Sequence, residues 1–201
     1  MKPRANKPKA FRMRPLVHVN RVETNNYGWS EPSADTLKIA PIRCLVEKYM
    51  AGSNLSIDPF ARNCAVAHIT NDMNPDTLAQ YHMPALDFLL MLKNQGDSPD
   101  LVIFDPPYSM YQCKEHYEMF GGGKFTKQHA SNVGHWSAEK RIINDIIAPN
   151  GIVIHMGWHS NAMPRKLGWE TVEILLVAHG RAHHDTIVTV AQKKHTQMRL
   201  I

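Results

Sequence analysis

The stretch DLVIFDPPY, Asp100 to Tyr108, sets an apolar run against an acid, two prolines and a tyrosine. Short runs rich in Val and Ile and bounded by turn residues read as strands. The prolines lack an N–H and so end the ladder, which leaves Asp105 at the carboxyl end of a strand. Working outward, NLSID (54–58), CAVAHIT (64–70), GIVIHM (151–156), VEILLVAHG (172–180) and DTIVTVAQ (185–192) read the same way. Between them APIRCLVEKYM (40–50), NPDTLAQYHM (74–83), ALDFLLMLKN (85–94) and SAEKRIINDIIA (137–148) carry helical spacing, the last stopping at Pro149-Asn150-Gly151. Alternating strands and helices predict an α/β fold with an open, mostly parallel twisted sheet. Only Gly180 to His184 separates the last two strands. That is too short for a crossover helix, so the sheet is expected to end in an antiparallel hairpin.

A chain of 201 residues that is 43% hydrophobic supports one ordinary domain with its own core. No window of roughly 18 apolar residues is present to span a membrane. The N-terminus MKPRANKPKAFRMRP has no apolar segment of the kind a secretory signal needs, so the expected compartment is the cytoplasm. Cys44, Cys64 and Cys113 are widely spaced with no CxxC pair, which argues against a disulfide framework or a zinc ribbon.

The formal charge of +5 is concentrated. Residues 1–21 hold Lys2, Arg4, Lys7, Lys9, Arg12, Arg14 and Arg21 with no acid among them, and read as a flexible basic arm preceding a single domain over 22–201. Such an arm is either a solvated terminus or a phosphate-neutralising one that binds nucleic acid in a salt-dependent way.

In open α/β sheets, ligands bind beyond the carboxyl ends of the strands. Four acids fall at or near such places: Asp58 in LSIDPFARN, Asp72 in HITNDMN, Asp87 in PALDFLL, and Asp105. Each also has a structural explanation, since Asp caps helices and starts turns.

The order DPFA (58–61), an acid after the next strand, ALDFL (85–89) and then DPPY (105–108) resembles the S-adenosylmethionine-dependent DNA adenine methyltransferases, in particular their small prophage-type and solitary members. The likeness extends over residues 34–194, through TLKIAPIRCLVEKYM, GWHSN and EILLVAHGRAHHDTIVTVAQKK. It implies a Rossmann-like class I methyltransferase fold, S-adenosylmethionine as cofactor, and DNA as partner.

The resemblance also implies roles. Asp58, in the Asp58-Pro59-Phe60-Ala61 cofactor motif, would bind the methionine ammonium, with Phe60 packing on the cofactor. Asp72, with its neighbour Asn71, would take the ribose hydroxyls; alternatively Asp72 caps a helix beginning near Pro75. Asp87 would accept from the cofactor's adenine amine with Phe88 flanking the ring; alternatively Asp87 lies on an exposed helical face. Thr36, Lys38, Ile39 and Pro41 resemble the segment that closes over the methionine end, or are an ordinary strand entering a helix. Asp105, Pro106, Pro107 and Tyr108 would hold a flipped adenine. The chain departs from the family where Arg62-Asn63 replaces a glycine-rich turn.

The chemistry of DPPY supports that role. Adenine's exocyclic amine is a poor nucleophile and must be held in line with the methyl group. The Asp105 carboxylate can accept from one amine hydrogen and the Pro106 carbonyl from the other, its direction fixed by consecutive prolines. The Tyr108 ring offers a face for a base that has left the stack.

Gly121-Gly-Gly-Lys124 lacks the spacing of a nucleotide P-loop. It reads as a loop that DNA would order, with Lys124 and Lys127 as phosphate contacts. His179, His183 and His184 lie about the hairpin turn without acids or cysteines to complete a metal site, and none is expected. An RNA guanine methyltransferase, or a non-catalytic nucleic-acid-binding protein on the same scaffold, are the alternatives. No block of roughly 80 residues is left for a separate target-recognition domain, so base reading falls to the arm, to the region between Tyr108 and Trp136, or to a second subunit in a homodimer.

Overall fold

The computed structural model describes residues 18–22, 35–120, 136–179 and 184–194. Among the described residues seven strands form one sheet: β1 His18–Val22, β2 Ser56–Asp58, β3 Ile69–Thr70, β4 Leu101–Phe104, β5 Ile152–Gly157, β6 Trp169–Val177 and β7 Thr186–Lys193. Their spatial order is β1-β6-β7-β5-β4-β2-β3. Every pairing is parallel except those of β7, which runs antiparallel to both β5 and β6. This is the Rossmann-like class I methyltransferase fold, closed by the antiparallel pair that the short 180–184 connection predicts. From β2 the sheet grows outward through β3 on one side and through β4 and β5 on the other. The switch point, where such folds bind ligands, is therefore between β2 and β4.

Among the described residues four helices pack on the sheet: α1 Ala40–Met50, α2 Ala85–Gln95, α3 Met110–Met119 and α4 Ser137–Ile146. β4 reads LVIF without a polar residue because both its faces are covered. Leu101 and Ile103 join a cluster with Ile42 and Val46 of α1, while Val102 and Phe104 join one with Phe88 of α2 and Ile143 of α4. Gly96, in the left-handed region at φ 80°, ends α2 by donating its N–H to Leu92 and Lys93 carbonyls. Among the described residues no helix is long and apolar enough to cross a membrane.

Two expectations are corrected. Residues 18–21 do not belong to an arm: they lie in β1, whose pairing with β6 from His18↔Glu173 to Val22↔Val177 satisfies a backbone edge that β6 would otherwise expose. Residues 74–83 form no helix. Side chains there claim the backbone first: Asn74 Oδ1 accepts from the Asp76 N–H and Thr70 Oγ1 from the Gln80 N–H, while Tyr81 N–H bonds back to the Thr70 carbonyl. A third difference is a helix where none was expected: the segment after DPPY enters α3 directly. Its sequence MYQCKEHYEM has little apolar periodicity to announce it.

Candidate active site

β2 and β4 pair in register, Ile57 opposite Val102, so Asp58 ends one strand and Asp105 follows the end of the other at the same edge of the sheet; Asp105 lines the cleft there, while Asp58 is buried beneath it. The turn after β2 is built by side chains and backbone together. Asp58 Oδ1 accepts from the Phe60 N–H at 2.9 Å, closing an Asx turn. Asn71 N–H donates to the Asp58 carbonyl at 2.8 Å and Ala61 N–H to the Asn71 carbonyl at 2.9 Å. Arg62 then takes a left-handed conformation, φ 50°, and donates its N–H to Asp72 Oδ2 at 3.0 Å. An arginine thus occupies a backbone state that glycine adopts more easily.

The cleft is lined by Phe60, Arg62, Asp72, Asp105, Pro107 and Trp136, among others. Phe60 meets Phe104 and Trp136 edge to face, each with ring centroids 5.3 Å apart. Asp58 lies behind them with 1% of its surface exposed. Burial holds its carboxyl well above the ordinary 3.8; the Phe60 N–H opposes this, and the fields of Asp105 and Asp72 add to it. A positive charge beside it would favour its ionised form.

Asp105 is held from several sides. The Tyr108 hydroxyl donates to its Oδ1 at 2.5 Å. Burial raises its carboxyl, while hydrogen bonds from Tyr108 and Thr36 and the nearby Arg62 charge pull it back. The Tyr108 phenol is pushed far up by burial and by Asp105, so it stays a donor. Its ring packs edge to face with Trp158 at 5.9 Å, and Trp158 in turn packs on His184 at 4.6 Å. Thr36 opens a single 3-10 turn, Thr36–Lys38, leading to α1 through Ile39, with Pro41 in the first turn of that helix. Lys38 pairs with Asp35 at 2.6 Å.

Beside Asp105, Phe104 stacks on His155 at 5.8 Å, and His155 on His159 at 5.5 Å. His155 is 2% exposed and its Nδ1 has no hydrogen-bond partner among the described residues. Burial, with Lys140 and His159 nearby, keeps it neutral far below the ordinary histidine range. Lys140 donates to the Asn161 carbonyl at 3.0 Å and is brought down to about 8 by its own burial, against the pull of Glu139.

Several residues suggested by the resemblance stand elsewhere. Asn71 is wholly buried, and its side chain is spent within the fold. Its Nδ2 donates to the Pro59 and Met83 carbonyls, and its Oδ1 accepts from the Met83 N–H. Asp72 caps no helix; its oxygens accept from the Arg62 and Asn74 N–H groups while it faces the cleft. Asp87 is exposed on the first turn of α2 and does not line the cleft. Phe88 is 0% exposed in the core, 5.8 Å from Tyr81; Ala85 and Leu86 are the α2 residues that reach the cleft. The reason is register: Ala85 and Leu86 point toward the switch point, which turns Asp87 outward and Phe88 onto the sheet. Arg62, Trp136 and Glu139 line the site without a motif to signal them.

Pro59 is buried behind the turn, and Pro106 is buried while Pro107 faces the cleft. His179 bonds Thr186 Oγ1 at 2.8 Å, and no cluster of His, Cys, Asp or Glu suited to a metal ion occurs among the described residues. The three cysteines are free thiols. Lys2, Arg4, Lys7, Lys9, Arg12, Arg14, Lys124 and Lys127 lie outside the described residues.

No protein-family model matches the chain, and no curated protein matches it. Solved structures do. The chain is similar to Escherichia coli yhhF, described as a putative methyltransferase, at 12% identity and TM-score 0.51 over 84% of this chain and 92% of that one. It also matches TrmN from Thermus thermophilus at 13% identity and TM-score 0.48, over 75% of this chain and 47% of that one. The N-methyltransferase NodS from Bradyrhizobium japonicum WM9, in complex with S-adenosyl-L-homocysteine, matches at 10% identity and TM-score 0.47, over 85% and 94% of the two chains. At these identities the likeness is one of fold.

Proposed function

We propose that the protein is an S-adenosylmethionine-dependent DNA adenine methyltransferase, acting on the exocyclic N6 amine of a flipped adenine. The observation that carries this reading is the pairing of Asp58 and Asp105-Pro106-Pro107-Tyr108 at the ends of adjacent strands β2 and β4, the switch point of the fold.

The residues fit the cofactor by their chemistry. Asp58, buried and biased away from carrying an uncompensated charge, suits a ligand ammonium. Phe60 and Trp136 give an apolar wall, and Asp72 at the rim can accept from vicinal hydroxyls. When bound, S-adenosylmethionine supplies a methyl group on a sulfonium, an electrophile in need of a nucleophile held in line. Asp105 accepts from one hydrogen of the amine and the Pro106 carbonyl from the other. This orients the nitrogen lone pair and disfavours its delocalisation into the ring. Transfer to the amine would leave its nitrogen cationic, and the surplus proton, now strongly acidic, would pass to the Asp105 carboxylate hydrogen-bonded to it or to water. Asp105 therefore acts through orientation and charge more than as a strong base.

The test is incubation of the purified protein with labelled S-adenosylmethionine and unmethylated DNA or bulk RNA, followed by nucleoside analysis. N6-methyl-2′-deoxyadenosine in the DNA product, abolished by Asp105→Ala with cofactor binding retained, is the expected result. Label in RNA guanine, or in neither polymer, would overturn it.

A further inference from the structure

A second, larger depression lies on the other side of α4 from the cleft. It is a groove of about 1000 Å³ between that helix and the connection from β5 to β6. Ser137, Lys140, Arg141 and Asn144 form its helical wall, residues spaced so that they share one face of α4. Arg165 and Lys166 stand on the opposite wall.

The groove is positive. Arg141, Arg165 and Lys166 are exposed, and none of the three makes an ion pair among the described residues. The one carboxylate among its lining residues, Asp145, is held by Lys93 of α2 at 2.7 Å. Lys140 does not add to the exposed charge. It is 6% exposed and ties the Asn161 carbonyl to α4 at 3.0 Å, which fixes one wall against the other. The helical wall is fixed to the sheet as well, since Asn144 accepts from Trp169 Nε1 at 3.0 Å and from Lys193.

The groove lies beside the site. Its upper end is formed by His159 and Ser160, next to Trp158, whose ring packs on Tyr108. Glu139, one position from Lys140 on α4, lines the cleft itself. One helix therefore separates the two depressions, a distance of roughly 10 Å.

We propose that this groove carries the phosphodiester backbone of the nucleic-acid substrate, with Arg141, Arg165 and Lys166 as its phosphate contacts. This rests on the proposed function, and adds a site distinct from the basic N-terminal segment. The dimensions agree: α4 is ~15 Å long, and each DNA strand presents a phosphate every ~3.4 Å of duplex axis, so a duplex whose axis runs along the helix places about four base-pair steps beside it, enough for contacts to three phosphates. The backbone chemistry is common to DNA and RNA, and the polymers are separated by the test.

The test compares wild type with Arg141→Gln/Arg165→Gln/Lys166→Gln, titrating duplex DNA, single-stranded DNA and RNA across a salt series. Methyl transfer and S-adenosylmethionine binding are measured alongside. On the polymer that is the substrate, the triple variant is expected to lose tenfold or more in affinity near 0.1 M salt. The slope of log K against log salt should become shallower by about 2.7 for a duplex or about 2 for a single strand. S-adenosylmethionine binding and melting temperature should be unchanged, and Arg141→Lys/Arg165→Lys should keep the wild-type slope. If wild type transfers methyl groups to nucleic acid and the triple variant keeps its affinity and slope, the groove assignment is wrong and the function stands. If wild type neither binds nor methylates any of the three polymers, both fall.

Discussion

The Tyr108 hydroxyl donates to Asp105 Oδ1 at 2.5 Å, so two residues of the same four-residue motif are bonded to each other. The ring expected to stack on a base thus also helps keep Asp105 ionised, because a donor to a carboxylate stabilises its charged form. These two roles can be separated by substitution.

Tyr108→Phe keeps the ring and removes the donor. Asp105 loses one of the interactions that lower its pKa, so its value should rise. If transfer needs the carboxylate ionised, the acid limb of the kcat profile moves to higher pH, by about 1–2 units for a hydrogen bond to a charged group worth about 1.5–3 kcal/mol. Tyr108→Ala removes the ring too and should cost a further ~5- to 150-fold in kcat/KM, the range expected for losing about 1–3 kcal/mol of stacking. An unmoved acid limb in Tyr108→Phe would leave the ring with stacking alone.

Asp58→Asn should have opposite effects on stability and binding. The folded state raises the Asp58 pKa above the ordinary 3.8. The contribution of its protonated form is therefore fully present below that value and lost as pH rises through the elevated one. At neutral pH an ionised Asp58 is a cost to the free protein. Asparagine removes that cost, so the melting temperature at pH 7 should rise, while affinity for S-adenosylmethionine measured by calorimetry should fall at least tenfold. A variant that melts lower and binds normally would contradict the cation-receiving role.

Arg62 combines a left-handed backbone with a charge beside Asp105. Arg62→Ala and Arg62→Gly remove the charge equally, and both should move the acid limb upward. Only glycine relieves the backbone, so Arg62→Gly should be more stable than Arg62→Ala by about 1 kcal/mol in urea unfolding. Equal stabilities would mean that the turn relaxes when the side chain is lost.

Asp87 and Phe88 are neighbours with different positions, one exposed and one in the core. Asp87→Ala should leave S-adenosylmethionine affinity within twofold of wild type. Phe88→Ala should destabilise the fold by about 3–5 kcal/mol, the cost of an aromatic-sized cavity in a packed core. Loss of cofactor binding in Asp87→Ala, with the fold intact, would restore the adenine-contact role.

The sequence by itself determined the elements whose signals are local. The unbroken apolar LVIF needs no context to read as a doubly buried strand, and Gly180 to His184 is too short for a crossover in any fold. The acids Asp58 and Asp105 were legible because turn residues follow each strand directly. Tertiary structure alone decided what depends on which partner reaches a group first. Side chains around Thr70, Asn74 and Gln80 captured backbone groups that a helix over 74–83 would have used. The bare edge of β6 drew residues 18–22 into the sheet. The register of α2 turned Asp87 to solvent, and the phenol of Tyr108 found the carboxylate three residues away. Each of these outcomes is a competition for hydrogen bonds or buried surface among segments distant in sequence or differently oriented in space, and no single stretch carries its result.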